Sequence, residues 1–325
     1  MSLFAAKQGG KNIKFKFLGG DFMSFKPDNK NLSPDYKFVW GDEFDGDTLN
    51  PEKWTLRLKM GGNERIKVSS DPDTIYVKDG KLHLIAHKME DGTYKVPTSV
   101  ITQDTMNFKY GYAEIKAKVP YMKGVWPSYW TQSTANRHMA SLLEAENKAV
   151  MAEVDMFEIF ANNRVAANYI KWVLDKDEAN PEKPRTWYYA NAFRTQAKTF
   201  TEEEFKTIND EYHVYGYEWT EDFIKMYFDG EVYGEFQIKD SYVKNDTDEY
   251  FEDTVPIYND RTGTDMSCFH DPQYLIFNNH LFDDGVSTAS TSVTEFPDFT
   301  SATYSIEYCR VFKKDGVGDF IAKAK

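Results

Sequence analysis

The feature that most limits how this chain can fold is a series of short runs in which apolar and polar residues alternate, each closed by turn-forming residues. They are residues 81–88 (KLHLIAHK), 110–119 (YGYAEIKAKV), 153–160 (EVDMFEIF), 212–220 (YHVYGYEWT), 223–236 (FIKMYFDGEVYGEF) and 304–312 (YSIEYCRVF). A period of two sends successive side chains to opposite faces, which suits a half-buried strand and not a helix. Within 223–236, Asp229-Gly230 lies between two alternating stretches, a strong signal for a two-residue hairpin. Helical pattern is confined to residues 136–150 and 201–212, the latter opened by Thr201 and acidic residues in the manner of an N-cap and first turn. No repeat and no linker divides the chain. The expectation is therefore one all-β sandwich of two antiparallel sheets over residues 36–316, with an aperiodic extension at 1–35 and a short tail at 317–325.

Composition narrows the function. A formal net charge of −13 and a pI near 5.0 argue against a nucleic-acid binder, whose affinity is built from clustered Lys and Arg, and disfavour polyanionic substrates. Cys268 and Cys309 are the two cysteines, too few for a disulfide framework or a cysteine metal site. His83 and His87 share a strand face without a third ligand, so no metal site is read from the histidines. No stretch approaches the length of a membrane span, and the first twenty residues lack the apolar core of a secretion signal. Aromatic residues reach 16%, which fits β-sheet packing and also surfaces that stack on sugar rings.

Chemistry concentrates at residues 153–158. Glu153, Asp155 and Glu158 interrupt an otherwise apolar strand-like run. On a regular strand Glu153 and Asp155 share a face, whereas Glu158, five positions from Glu153, points the other way. One β-bulge between Asp155 and Glu158 reverses the parity and gathers all three on one face. Carboxyl groups set about 5–5.5 Å apart are what retaining glycoside hydrolysis needs, with one ionised as nucleophile and the other holding a proton for the leaving oxygen. An acid-rich strand by itself is more often a solvated face, so the flanking sequence decides.

Those flanks resemble glycoside hydrolase family 16, the β-jelly-roll hydrolases of β-glucans and galactans. The likeness runs through residues 38–46 (FVWGDEFDG) with Trp54, 110–120 (YGYAEIKAKVP), 124–130 (GVWPSYW), 213–219 (HVYGYEW), 227–230 (YFDG) and 306–312 (IEYCRVF), in family order around the carboxylate strand. The resemblance implies a concanavalin-like jelly roll with a concave substrate cleft. It also implies Glu153 as nucleophile, Glu158 as acid/base and Asp155 as the assisting residue. Trp126 and Trp130 are candidate platforms for pyranose rings, since an indole offers flat apolar area to a sugar's C–H face. Many glucan-cleaving members carry a histidine shortly after the catalytic strand, where this chain reads Asn168-Tyr169-Ile170-Lys171-Trp172, so Asn168 and Trp172 are the candidate substrate contacts there. Residues 132–150 are longer than a tight connection requires, and Arg137 and His138 on them are read as solvated loop positions. No cofactor is called for. Some relatives hold a structural Ca²⁺ on the convex face, for which Glu43 is the candidate carboxylate. The expected partner is a polysaccharide, cut internally by a monomeric enzyme that is secreted or cell-surface by resemblance. A β-1,3- or mixed β-1,3/1,4-glucan is the favoured substrate. A β-galactan hydrolase of agar or keratan type, and a non-catalytic carbohydrate-binding protein of the same fold, stand as the alternatives.

Overall fold

The computed structural model describes residues 5–8, 11–14, 25–58, 61–134, 148–161, 163–175, 188–238, 267–283, 292–315 and 320–322. In chain order its strands are β1 (Ala5–Gln8), β2 (Lys11–Lys14), β3 (Lys37–Asp42), β4 (Thr55–Arg57), β5 (Ile66–Ser69), β6 (Ile75–Lys78) and β7 (Lys81–Lys88). There follow β8 (Tyr94–Pro97), β9 (Ser99–Ile101), β10 (Met106–Phe108), β11 (Gly111–Lys118), β12 (Val125–Ser133), β13 (Lys148–Ala161), β14 (Arg164–Asp175) and β15 (Tyr188–Thr199). The last are β16 (His213–Trp219), β17 (Phe223–Phe228), β18 (Glu231–Gln237), β19 (Gln273–Leu281), β20 (Ser301–Lys313) and β21 (Phe320–Ala322).

Two sheets form the sandwich. One runs β15-β14-β13-β12-β19-β10-β21, with β9 and β4 added beside β19, and the other runs β18-β17-β16-β11-β20-β7-β8-β5, with β3 on β20 and β6 on β7. Every pairing given is antiparallel except β5 with β8. This is the two-sheet sandwich the alternating runs foretell, and the jelly roll the resemblance implies. The expected hairpin is also present, with Asp229 at φ 49° and Gly230 at φ 85° turning β17 into β18, conformations that favour short polar residues and glycine.

The core lies between the sheets and is unusually aromatic. Phe157 of β13 meets Tyr215 of β16 at 4.6 Å between ring centroids, and Tyr129 of β12 meets Phe277 of β19 at 5.3 Å, all four fully buried. Each such side chain contributes roughly 1.5–3 kcal/mol by leaving water. On β11, Ala113, Ile115 and Ala117 face this core while Tyr112 and Glu114 face outward. Residues 25–36 lie over that outward face. Leu32 and Tyr36 pack with Tyr112, Tyr227 and Phe312, and the backbone N–H of Asp28 donates to both oxygens of Glu114. This segment therefore covers the sheet opposite the one bearing Glu153. At the other end of the chain β21 pairs with β10, adding residues 320–322 to the first sheet.

The two helical readings fare differently. Glu202–Ile208 is helical, and Thr201 forms the full capping box with Glu204. Residues 148–150 instead belong to β13, where Lys148, Ala149 and Val150 pair with Asp175, Leu174 and Val173. A neighbouring strand supplies backbone partners that outweigh a weak helical periodicity. Residues 135–147 lie outside the described residues. Among the described residues, no helix is long and apolar enough to cross a membrane.

Candidate active site

The site is built on β13 and its two neighbours. Against β12, Glu153 pairs with Gln132, Asp155 with Trp130, Phe157 with Tyr129 and Glu158 with Ser128, so Met156 is the extra residue. Against β14, Asp155 faces Asn168 and Glu158 faces Ala166, again one residue longer on β13. This is the single bulge required for parity. Met156 and Phe157 both turn into the core, and Glu153, Asp155 and Glu158 all turn to the opposite, outer face. A bulge removes a carbonyl from the ladder. Here the hydroxyl of Tyr233, from β18 in the other sheet, donates to the carbonyl of Met156.

Four donors from the two flanking strands, β12 and β14, fix the carboxylates. Trp126 Nε1 donates to Glu158 Oε1 at 2.8 Å and Asn168 Nδ2 to Glu158 Oε2 at 2.5 Å. Gln132 Nε2 and Trp172 Nε1 both donate to Glu153 Oε2, each at 3.1 Å. The carbonyl oxygen of Gln132 is in turn held by the hydroxyl of Tyr274 at 2.8 Å, which orients its amide nitrogen toward Glu153. Asp155 lies between the two glutamates, 2% exposed, and its Oδ2 meets no hydrogen-bond partner among the described residues.

Burial and charge then separate the three groups. Burial, reinforced by the negative charges of Glu158 and Glu153, holds Asp155 well above the usual carboxylate range. Burial also raises Glu158 to about 7, against the opposing pull of hydrogen bonds from Trp126, Asp155 and Asn168. A carboxyl that titrates near neutrality can give and retake a proton at working pH.

The sequence-derived residues come together on one face, in partly different employment. Trp126 lies parallel to Phe282, 4.5 Å apart at 8°, and its indole N–H is engaged by Glu158. Trp130 is 8% exposed, packed among Ile101, Tyr274 and Ile276 beside Asp155, and donates to Asn278 Oδ1 at 2.8 Å. Asn168 and Trp172 each donate to a carboxylate. Gln132, Tyr274 and Asn278 belong to the same face and were not singled out from sequence. Gln132 carried a usable signal, since it lies two residues beyond Trp130 on the same strand, whereas Tyr274 and Asn278 sit in a nearly unbroken apolar run. Arg137 and His138 lie outside the described residues.

The residues around Glu43 do not fit a cation. Arg310 holds it in a two-point grip, Nε on Oε1 at 2.8 Å and Nη2 on Oε2 at 2.7 Å, and a guanidinium already supplies the positive charge. Among the described residues, no group of three or more His, Cys, Asp or Glu is placed to hold a metal ion.

The chain is similar to known proteins in sequence and in fold. Over 301 residues the chain is 24% identical to glucan endo-1,3-beta-glucosidase A1 of Niallia circulans, covering 85% of this chain and 38% of that protein. It is 24% identical over 217 residues to a beta-glucanase of Rhodothermus marinus, covering 64% and 68%, and 23% identical over 198 residues to beta-porphyranase E of Zobellia galactanivorans, covering 59% and 65%. In fold it is similar to the laminarinase catalytic domain from Thermotoga maritima, with a TM-score of 0.58 at 21% identity over 86% of this chain and 98% of that one. The sequence profile described as Glycosyl hydrolases family 16 matches residues 62–257, and the chain belongs to that family.

Proposed function

We propose that this chain is a retaining, endo-acting β-glycanase that cuts β-1,3- or mixed β-1,3/1,4-glucans. The observation that carries the reading is the bulge at Met156, which places Glu153 and Glu158 side by side on one open sheet face. In this reading the Glu153 carboxylate attacks the anomeric carbon while Glu158 passes its proton to the departing glycosidic oxygen, leaving a covalent glycosyl-enzyme. Water then attacks the same carbon, Glu158 takes its proton, and the bond to Glu153 breaks, so two inversions give net retention. Asp155, whose proton affinity is raised by burial and by the two flanking glutamates, is the assisting residue between them. Trp126, with one face against Phe282, offers the other edge of its indole to a sugar ring beside Glu158.

A neutral glucan suits a chain of net charge −13, and two of the relatives named above are glucanases. The porphyranase relative supports a second reading, a β-galactan substrate. Turnover of laminarin, lichenan, agarose and porphyran with product sizing decides between them. Early release of mixed oligosaccharides is expected for an endo enzyme. Proton NMR of the first product should show the β-anomer before mutarotation, and an initial α-anomer would overturn the retaining mechanism.

A further inference from the structure

The support behind Trp126 is tied down by a loop that touches neither carboxylate. Phe282, 1% exposed, is the ring against which Trp126 lies. The next residue, Asp283, is 5% exposed and receives three donors: Asn63 Nδ2 at 2.9 Å, Arg65 Nε at 3.1 Å and Arg65 Nη2 at 2.8 Å. Asn63 is itself oriented, because its Oδ1 accepts the backbone N–H groups of Arg65 and Ile66, both at 2.8 Å. A second tie joins the same two stretches, for His280 Nε2 faces the carbonyl of Gly61 at 3.1 Å, and His280 is the cross-strand partner of Trp126.

We infer that Asp283 is a positioning residue for proton transfer: gripped by Asn63 and Arg65, it fixes Phe282 behind Trp126, and Trp126 in turn orients Glu158. The physical basis is the angular sensitivity of the last link. An N–H···O bond weakens steeply once its angle departs from linear, so a small rotation of the indole loses the bond without moving the strand. The grip on Asp283 resists such movement, since a buried carboxylate held by a guanidinium fork is among the stronger and more directional side-chain contacts. Glu153 is held independently, by Gln132 and Trp172. Loosening the brace therefore affects acid catalysis and spares the nucleophile.

This inference rests on the reading of Glu158 as the proton donor, and its test separates the two. Arg65→Ala, Asp283→Asn and Glu158→Gln are assayed in the full chain on a glucan oligosaccharide and on an aryl β-glycoside whose leaving group needs no proton. Arg65→Ala and Asp283→Asn should each lose about tenfold in kcat/KM, which reports the first step alone, on the oligosaccharide and less than about twofold in kcat/KM on the aryl glycoside. The alkaline limb of their pH profiles should also move upward. Arg65 is 48% exposed in its side chain, so Arg65→Ala reports even where Asp283→Asn folds poorly. Equal loss on both substrates, or no loss in Arg65→Ala, overturns the brace while leaving Glu158's role intact. A Glu158→Gln enzyme that loses kcat/KM equally on both substrates overturns the role of Glu158 as acid, and the brace with it.

Discussion

Trp126 and Glu158 meet at 2.8 Å from neighbouring strands, indole N–H to carboxylate oxygen, and this bond favours the ionised form of a group that burial pushes toward neutrality. Replacing Trp126 by Phe keeps a flat ring and removes the donor. Glu158 then rises above its value of about 7. The acid form is the active one for the first step, so activity is lost as pH rises through that value. The alkaline limb of kcat/KM should shift upward by about one unit, with a fall of about tenfold at pH 6. An unmoved alkaline limb would show that Trp126 does not act on Glu158.

Glu153 offers the contrasting case. Gln132 and Trp172 converge on one oxygen, and hydrogen bonds to a charged group are each worth roughly 1.5–3 kcal/mol. Gln132→Leu and Trp172→Phe should each lower kcat about 10- to 100-fold, on activated and natural substrates alike, because both need the same attack by Glu153 whatever their leaving group. Tyr274→Phe, which only frees the carbonyl side of Gln132, should have a smaller effect in the same direction. Steady-state kinetics on both substrate types checks this, and a leaving-group-dependent loss would move these residues to the acid side.

How much of this was readable beforehand depended on whether a residue's neighbours were local. The strand runs, the hairpin at Asp229-Gly230 and the Thr201 cap are set by side chains a few positions apart, and each is where the pattern put it. The bulge was legible for a different reason: three acidic residues in an apolar strand make sense on one face only if one residue is extra. Its support was not legible, because the Tyr233 hydroxyl that satisfies Met156 comes from the opposite sheet, 77 positions away. Trp126, Asn168 and Trp172 were reached through the family resemblance. That their N–H groups would be spent on carboxylates depends on strand register, which no local pattern carries. Residues 25–36 read as an aperiodic extension because Asp28, Leu32 and Tyr36 find their partners on strands remote in the chain.

Glu114 gives a stability test remote from the chemistry. It is fully buried under residues 25–36, and burial raises it to about 7, with Asp28 adding to the rise and the Asp28 N–H, Tyr112 and Arg310 opposing it. A carboxyl whose folded value lies above its unfolded value of about 4.3 stabilises the fold fully below that lower value and loses this contribution as pH rises through the folded one. Glu114→Gln, neutral at every pH, should match the parent near pH 4.5 and exceed it at pH 8 by about 1–3 kcal/mol, seen as a Tm higher by a few degrees. Thermal melts at the two pH values check the sign. A variant less stable than the parent at pH 8 would mean that the ionised carboxylate, held by Asp28, is the form the segment needs.

Arg310 and Glu43 bear on metal dependence. The guanidinium occupies both oxygens of Glu43, is 11% exposed in its side chain, and stacks on Tyr308 and Phe25 at 3.7 and 4.4 Å from the ring centres. A divalent cation at Glu43 would have to displace this arrangement, or sit beside a fixed positive charge at a Coulombic cost of several kcal/mol. Adding a chelator should therefore leave Tm and activity unchanged, and millimolar Ca²⁺ should not raise Tm, because nothing that binds only the folded state is removed or supplied. Arg310→Met, which keeps much of the apolar contact and removes the charge, should be destabilised by about 1–3 kcal/mol through the hydrogen bonds lost by the partly exposed Glu43. If Ca²⁺ then restores Tm in that variant while doing nothing to the parent, the guanidinium stands in for a cation. If the chelator lowers the parent's Tm, the chain does hold a cation, at a site other than the Arg310–Glu43 pair.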